Sequence, residues 1–341
     1  MRRLIALVLL LSLLAGCSFL PGEGTPPIYD ASFYTLFDTV TVVKGTAESR
    51  DAFQVIVQQV HDSLKRYHQL FDIYNDYEGI NNLKTVNDNA GIAPVTVDPE
   101  IIALLQDCIR YHALTGGKTN IAMGSVLLLW HEARTAGTQD PDNATLPDAE
   151  ALQKAAEHTD ISCLVIDEEN STVYLSDPEA RLDVGAVAKG WAAQRIAEQL
   201  PPGFLLSVGG NICATGSKYE EAPWVVGVRD PQGSASDYLY TLTVNSGSLV
   251  TSGDYQRGYI VDGKMYHHII DPETRMPSEH WRSVTVLCDN SGLADALSTA
   301  LFLLPLEEGK VLAEQCDVEV LWVNAAGEAF MTPGFQDRIQ P

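Results

Sequence analysis

The sequence predicts an α+β fold in which mixed, mostly antiparallel sheets pack against helices. Strand-like runs gather as meanders in the second half of the chain with helices between the groups, whereas a doubly wound parallel sheet needs strand and helix to alternate throughout. Asp262-Gly263 lies between Tyr259-Ile260-Val261 and Met265-Tyr266-His267, a two-residue turn signal that joins adjacent antiparallel strands. With 341 residues, 45% of them hydrophobic, the chain can bury a substantial core in one large domain or two interlocked halves, and no clear repeat divides it.

From the N-terminus, Arg2-Arg3 precede an apolar run over residues 4–14, too short for a typical membrane span, which ends in Leu14-Ala15-Gly16-Cys17. Charge, apolar run and Leu-Ala-Gly-Cys in that order match a lipoprotein box. The match predicts a signal peptide over 1–16, a lipid on Cys17 after cleavage, a flexible tether over 17–32 that is rich in Gly and Pro from 18 to 27, and a folded domain over 33–336. Such a protein sits on the extracytoplasmic face of a cell membrane, held by its lipid.

Apolar spacing at helical period predicts helices over 47–67, 99–115, 122–134, 147–158, 186–200, 293–303 and 306–315. Pro201-Pro202 stop the fifth, and Ser291 is placed to cap the sixth. Alternating or β-branched runs predict strands over 35–43, 163–167, 172–175, 204–208, 224–228, 238–244, 249–252, 258–261, 283–288 and 318–323.

The balance of 22 basic against 45 acidic residues, a net charge of −23, argues against nucleic acid as a partner. An anionic ligand would need a local metal and local donors to offset that field. Beyond Cys17, the cysteines at 108, 163, 213, 288 and 316 are widely spaced, odd in number and free of any Cys-x-x-Cys, so neither a disulfide framework nor a zinc site is expected.

Two distant stretches share one chemistry. In 294–300 (ADALSTA), Asp295 and Thr299 are four apart in an apolar helix and therefore project from one face, one turn above the other. A carboxylate there is costly unless paired or metal-bound, and hard oxygens of this kind suit magnesium with substrate phosphates. The plainer alternative is a buried hydrogen bond for Asp295 and a bond from Thr299 back to its own helix. In 182–190 (LDVGAVAKG), a strand end over 181–184 turns at Gly185 into a helix starting near Ala186, whose open N–H groups, with Lys189 beside them, can receive an anion. An ordinary strand-to-helix turn has the same pattern, and the Gly-Lys-Ser/Thr ending of a triphosphatase loop is missing.

Further candidates surround these. Gly209, Gly210 and Asn211 follow an apolar strand, so that backbone can approach a flat or phosphorylated ligand; a plain tight turn fits equally. Of His267 and His268, adjacent on a strand, only one can face a given site, which argues against a two-histidine metal site; one could serve as general base for a hydroxyl nucleophile, and a strand-end histidine bonded to backbone is the plainer alternative. Phe37-Asp38-Thr39 opens a strand; Tyr74 ends a helix pattern and could stack on a ligand ring, though an aromatic there is more often core. Lys118-Thr119-Asn120 lies in a glycine-led loop before a helix, which by itself reads as a plain helix-to-helix loop.

In this order, the segments FDT, FDIYND, GGKTN, LW, LDVGAVAKG, GGN, WVVGVRDP, TSGDY, HHIIDP and ADALSTA, over roughly 33–333, resemble the ApbE family of FAD:protein FMN transferases, many of which are lipoproteins. The resemblance implies an ApbE-like, T-fold-related architecture and transfer of FMN from FAD to a threonine or serine hydroxyl of a target protein, releasing AMP. It implies Mg2+ held by the Ala186 main-chain carbonyl, Asp295 and Thr299, with Asp295 also counted as catalytic. FAD, the substrate, would meet Phe37, Tyr74, Lys118, Thr119, Asn120, Asp183, Lys189 and Ile270, with Gly209, Gly210 and Asn211 close by. His268 would deprotonate the acceptor hydroxyl, and the partner would be a flavin-accepting membrane or secreted redox protein.

The chain departs from many members at two places. Thr119-Asn120-Ile121-Ala122 stands where they have Phe-Asp-Pro-Thr, and Tyr77-Glu78-Gly79-Ile80 replaces a Ser-Glu pair after Tyr74. Two rivals share the same residues: an FAD pyrophosphatase that uses water as acceptor, and a flavin-binding lipoprotein without turnover.

Overall fold

A computed structural model of the chain describes residues 27–234 and 236–340; Cys17, the expected signal peptide and most of the expected tether lie outside the described residues. Eight strands form one sheet, in the spatial order Ile28–Tyr34, Val40–Thr46, Phe204–Val208, Asn211–Thr215, Ser246–Gly253, Ser283–Cys288, Glu319–Val323 and Ala329–Met331. Every neighbouring pair is antiparallel. The α+β expectation therefore holds, with the long sheet laid down in chain order.

Both faces of this sheet are covered, which explains why its central strands read as near-continuous apolar runs. Successive residues point to opposite faces. Leu206, Val250 and Trp322 join cores under helices, whereas their neighbours Leu205, Leu249 and Leu321 pack beneath the hairpin Trp224–Arg229 and Tyr238–Val244, against Trp224, Val226 and Leu242.

The helices are α1 (Arg50–Phe71), α2 (Leu83–Asp88), α3 (Pro99–Leu114), α4 (Gly124–Gln139), α5 (Ala149–Ala156), α6 (Ala188–Ala197), α7 (Ser291–Leu303) and α8 (Leu306–Gln315), before a last short turn at Pro333–Gln336. Side chains cap several of them: Ser49 accepts from Ala52 N, and Asp98 sits before Pro99 and accepts from Glu100 N. α1 and α6 close over one part of the sheet and α7 and α8 over another. No described helix is long and apolar enough to cross a membrane.

Several boundaries differ from expectation. Residues 28–32, assigned to the tether, belong to the edge strand Ile28–Tyr34, and at the other end Gln340 N donates to Thr241 O at 2.8 Å, so the folded unit extends beyond 33–336 on both sides. The strand expected from 35 begins only at Val40, because Leu36–Asp38 form a 3-10 turn. Asn290, not Ser291, caps α7, its side chain accepting from Leu293 N at 2.9 Å. The expected strand end over 181–184 is a single bridge between Arg181 and Met123, and α6 starts at Ala188, two residues later than read. The Asp262-Gly263 hairpin is present, with positive φ at both residues (49° and 78°), as a tight two-residue hairpin requires.

Candidate functional site

A cleft of about 770 Å³, in the size range of small-molecule sites, opens where the ends of these elements converge. The turn into α6 and the middle of α7 form one wall, the Gly209-Gly210 turn and Asn211 another, and the 36–38 turn with the loop after α1 a third. α4, the segment 251–257 and residues 268–270 complete it. Every described site residue expected from the sequence lines this cleft, from Phe37 to Thr299, although they are drawn from across the whole chain.

The two motif stretches meet at a single hydrogen bond. Gly190 N donates to Asp295 Oδ2 at 2.8 Å. Only glycine permits the approach, since a Cβ at 190 would lie 2.3 Å from Ser291 O and 2.5 Å from Asp295 Cβ. One of the open donors expected to receive a phosphate is thus already occupied, by a carboxylate of the protein itself.

Asp295 is 5% exposed, and burial raises its pKa, against the opposing pull of Lys189, Gly190 N–H and the Asn211 amide. Lys189 Nζ stands 3.9 Å away and donates to Gly185 O at 3.3 Å. Asn211 lies beside the carboxylate, yet its buried Nδ2 closes no well-formed hydrogen bond.

Three oxygens remain without partners among the described residues. Asp295 Oδ1 accepts nothing, and the Ala186 carbonyl, which precedes the Val187 cap of α6, takes no backbone donor. Thr299 does not bond back to its helix; Ser298 Oγ takes Asp295 O instead, at 2.9 Å. One carboxylate, one carbonyl and one hydroxyl on the same cleft suit a hard cation that also binds phosphate, so these residues fit magnesium.

The two histidines separate, although only His267 belongs to the strand Lys264–His267 and His268 follows it in a bend. His267 turns into the core, 8% exposed, with Nε2 2.6 Å from Ser278 O. His268 faces the cleft, its Nδ1 3.2 Å from the Arg257 carbonyl oxygen. A carbonyl accepts only, so Nδ1 carries the proton and Nε2 keeps its lone pair. Burial, and next the charge of Arg257, push the His268 pKa down to about 3.

Other expected contacts are partly spent on the protein. Thr119 Oγ1 donates to Ala296 O at 2.7 Å, tying the 116–120 loop to α7. Asn120 Nδ2 donates to Thr159 O while its Oδ1 accepts from Ala122 N, both at 2.9 Å. Lys118 Nζ lies 3.1 Å from Asp271 and 2.8 Å from Glu273. Asp183 holds Gly185 N at 2.8 Å, and burial raises its pKa. Ile270 is buried at the cleft wall.

Gly209 and Gly210 have φ of 61° and 94° and form the two-residue turn between paired Val208 and Asn211. A Cβ at 209 would strike Thr39 Oγ1 at 2.6 Å, while 210 faces open space. Phe37, which the sequence places at a strand opening, instead sits in left-handed conformation (φ 52°, ψ 29°) between Thr35 (φ 86°) and Asp38 (φ 53°). Such backbone costs of order 1–3 kcal/mol per residue and gathers at functional sites. Tyr74, 53% exposed, stacks on His131 with centroids 5.0 Å apart.

Sequence reasoning missed His131, Arg134 and the role of Arg257. All three line the cleft, and neither arginine has a carboxylate partner among the described residues. Arg134 Nη2 reaches His131 Nδ1 at 3.1 Å, and burial together with Arg257 lowers the Arg134 pKa. The available signal was a cation one turn beyond Trp130 on an apolar helix.

The ApbE family model matches residues 36–322. The chain belongs to the ApbE family. A FAD:protein FMN transferase of Treponema pallidum (strain Nichols) is 34% identical over 277 residues, 76% of this chain and 75% of that protein. Another, of Klebsiella pneumoniae (strain 342), is 30% identical over 294 residues, 84% and 88% of the two chains. Among solved structures, the ApbE protein of Thermotoga maritima aligns with a TM-score of 0.81 at 26% identity, covering 92% of this chain and all (100%) of that one. The flavin transferase ApbE from Vibrio cholerae, at 23% identity and a TM-score of 0.76 over 92% of this chain and 100% of its own, shares the fold. The ApbE match includes both motif stretches, 182–190 and 294–300, and the histidine strand between them.

Proposed function

We propose that the protein is a magnesium-dependent flavin transferase that moves FMN from FAD to a threonine or serine hydroxyl of a target protein and releases AMP. The observation that carries this reading is one cleft holding His268, with its Nε2 lone pair available, and the three unpartnered oxygens of Ala186, Asp295 and Thr299. The names of the family relatives support the same reaction.

Magnesium bound at those oxygens would neutralise pyrophosphate charge, which the acidic protein otherwise repels. Lys189 adds a cation beside the same site. His268 Nε2 takes the acceptor hydroxyl proton as the oxygen bonds to the FMN phosphorus. The bond from that phosphorus to the bridging oxygen breaks, and AMP leaves with the bridging oxygen. The Arg257 carbonyl keeps the imidazole in the tautomer that can do this.

The reading extends to the ends of the pathway. A lipid on Cys17 would hold the enzyme on the extracytoplasmic membrane face, where a membrane or secreted redox protein would be its acceptor. Incubation of the mature protein with FAD, magnesium and a target bearing a candidate threonine should add the mass of FMN to the target. Free FMN and AMP without adduct would make it a pyrophosphatase, and intact FAD a carrier. Cys17→Ser should move the protein from the membrane to the soluble fraction.

A further inference from the structure

We propose that Tyr77 and His68 are positioning residues for the ring-binding end of the cleft, linked with Asp72 in a one-way chain of hydrogen bonds that fixes Phe37 relative to Tyr74. The inference rests on the flavin-transferase reading, because it assigns these residues to holding a flat heteroaromatic ring of the dinucleotide.

Phe37 N donates to His68 Nδ1 at 3.3 Å. With Nδ1 accepting, the neutral imidazole carries its proton on Nε2, which lies 3.4 Å from the Tyr77 hydroxyl. That hydroxyl donates to Asp72 Oδ2 at 2.7 Å. Asp72 also accepts from Tyr74 N at 2.7 Å and from Asn75 N at 3.1 Å. The Tyr77 hydroxyl accepts from His68 and donates to Asp72, so the chain runs from the strained Phe37 turn, through the last turn of α1, to the carboxylate that holds the backbone of Tyr74.

Two aromatic side chains on the cleft, Phe37 and Tyr74, are the ends of this chain. The left-handed backbone at Phe37 would relax without an anchor, and His68 supplies one through both its nitrogen and an edge-on ring contact at 5.6 Å. Tyr77 is itself set by a tight turn in which Ile80 N donates to Tyr77 O at 3.1 Å, with Gly79 at φ 78°. The segment 77–80, where this chain departs from many ApbE members, thus supplies the brace.

Tyr77→Phe removes one hydroxyl and leaves the ring in place. Binding of riboflavin, AMP and FAD should be measured separately for the wild type, Tyr77→Phe and His68→Asn; asparagine keeps an acceptor for Phe37 N but not the link to Tyr77. Both variants should lose roughly tenfold in riboflavin affinity, the effect of one hydrogen bond to a charged group, with AMP binding unchanged. In turnover, KM for FAD should rise and kcat hold, since the ring is held equally before and during reaction. Loss confined to AMP would keep the relay and assign it to the adenine ring. Equal loss of both ligands, or no loss of either, overturns the inference. Failure of the wild type to bind FAD, riboflavin or AMP would instead overturn the transferase reading, and this inference with it.

Discussion

Gly190 N–H, one of the first-turn donors that α6 leaves unpaired, reaches Asp295 Oδ2 at 2.8 Å. The bond steadies a buried carboxylate, and the Ala186 carbonyl, ahead of the helix cap, takes no backbone donor beside it. The two motifs of the sequence are coupled through this bond.

Gly190→Ala should force α6 and α7 apart, because the new methyl meets backbone, not a movable side-chain end. A loss of about 1–3 kcal/mol is expected, as for overpacking in a close-packed core, together with weaker magnesium binding. Thermal melts with and without magnesium check this; an unchanged melting temperature would contradict the close approach.

Asp295→Asn keeps an oxygen for Gly190 N–H and removes a buried charge. Metal-free protein should melt at or above the wild-type temperature, since the charge is raised in energy by burial. Magnesium should stabilise the wild type by about 2.7 kcal/mol at a hundredfold excess over Kd and should not stabilise Asp295→Asn. A retained magnesium shift would refute the ligand set.

As the proposed base, His268 must be neutral, so activity should be kept above its pKa and lost as pH falls through it. With burial and Arg257 holding that pKa down to about 3, the acid limb of kcat/KM should lie well below the ordinary histidine value near 6.5. Arg257→Gln removes a cation that opposes His268 protonation and retains the carbonyl that orients the ring, so the limb should move to higher pH. Superimposable pH profiles for the two proteins would exclude the electrostatic link.

Thr119→Val deletes the hydroxyl that donates to Ala296 O. A stability loss of about 1–2 kcal/mol is expected, with little change in KM for FAD, because the side chain braces α7 in place of reaching the ligand. A large KM effect at unchanged stability would return Thr119 to the list of direct contacts.

Much of the site was legible because its chemistry is written locally. Asp295 and Thr299 are four residues apart on one helix, and Gly209-Gly210 mark their own turn. His267 and His268 do face different ways, as read, although His268 lies one residue past the strand end. What could not be read depends on distant partners. Arg134 and Arg257 become neighbours only because α4 packs on the strand after Arg257, where a Cβ on Gly137 would lie 2.6 Å from the Tyr259 ring. The edge strand Ile28–Tyr34 carries strand formers at both ends, but Asp30, Ala31 and Ser32 interrupt them and its exposed alternation follows a Gly- and Pro-rich stretch, so its pairing with Val40–Thr46 was not legible. Phe37 carries no local sign of left-handed backbone, which is imposed by His68 from α1.

α7 is buried along its whole length except at Leu293 and Thr299. A helix without a solvent face cannot fray on its own, so its amides should exchange with solvent only when the whole domain opens. The wall that carries Asp295 and Thr299 and the global fold then share one melting event. With magnesium held in excess, activity should vanish at the same denaturant concentration as tertiary structure.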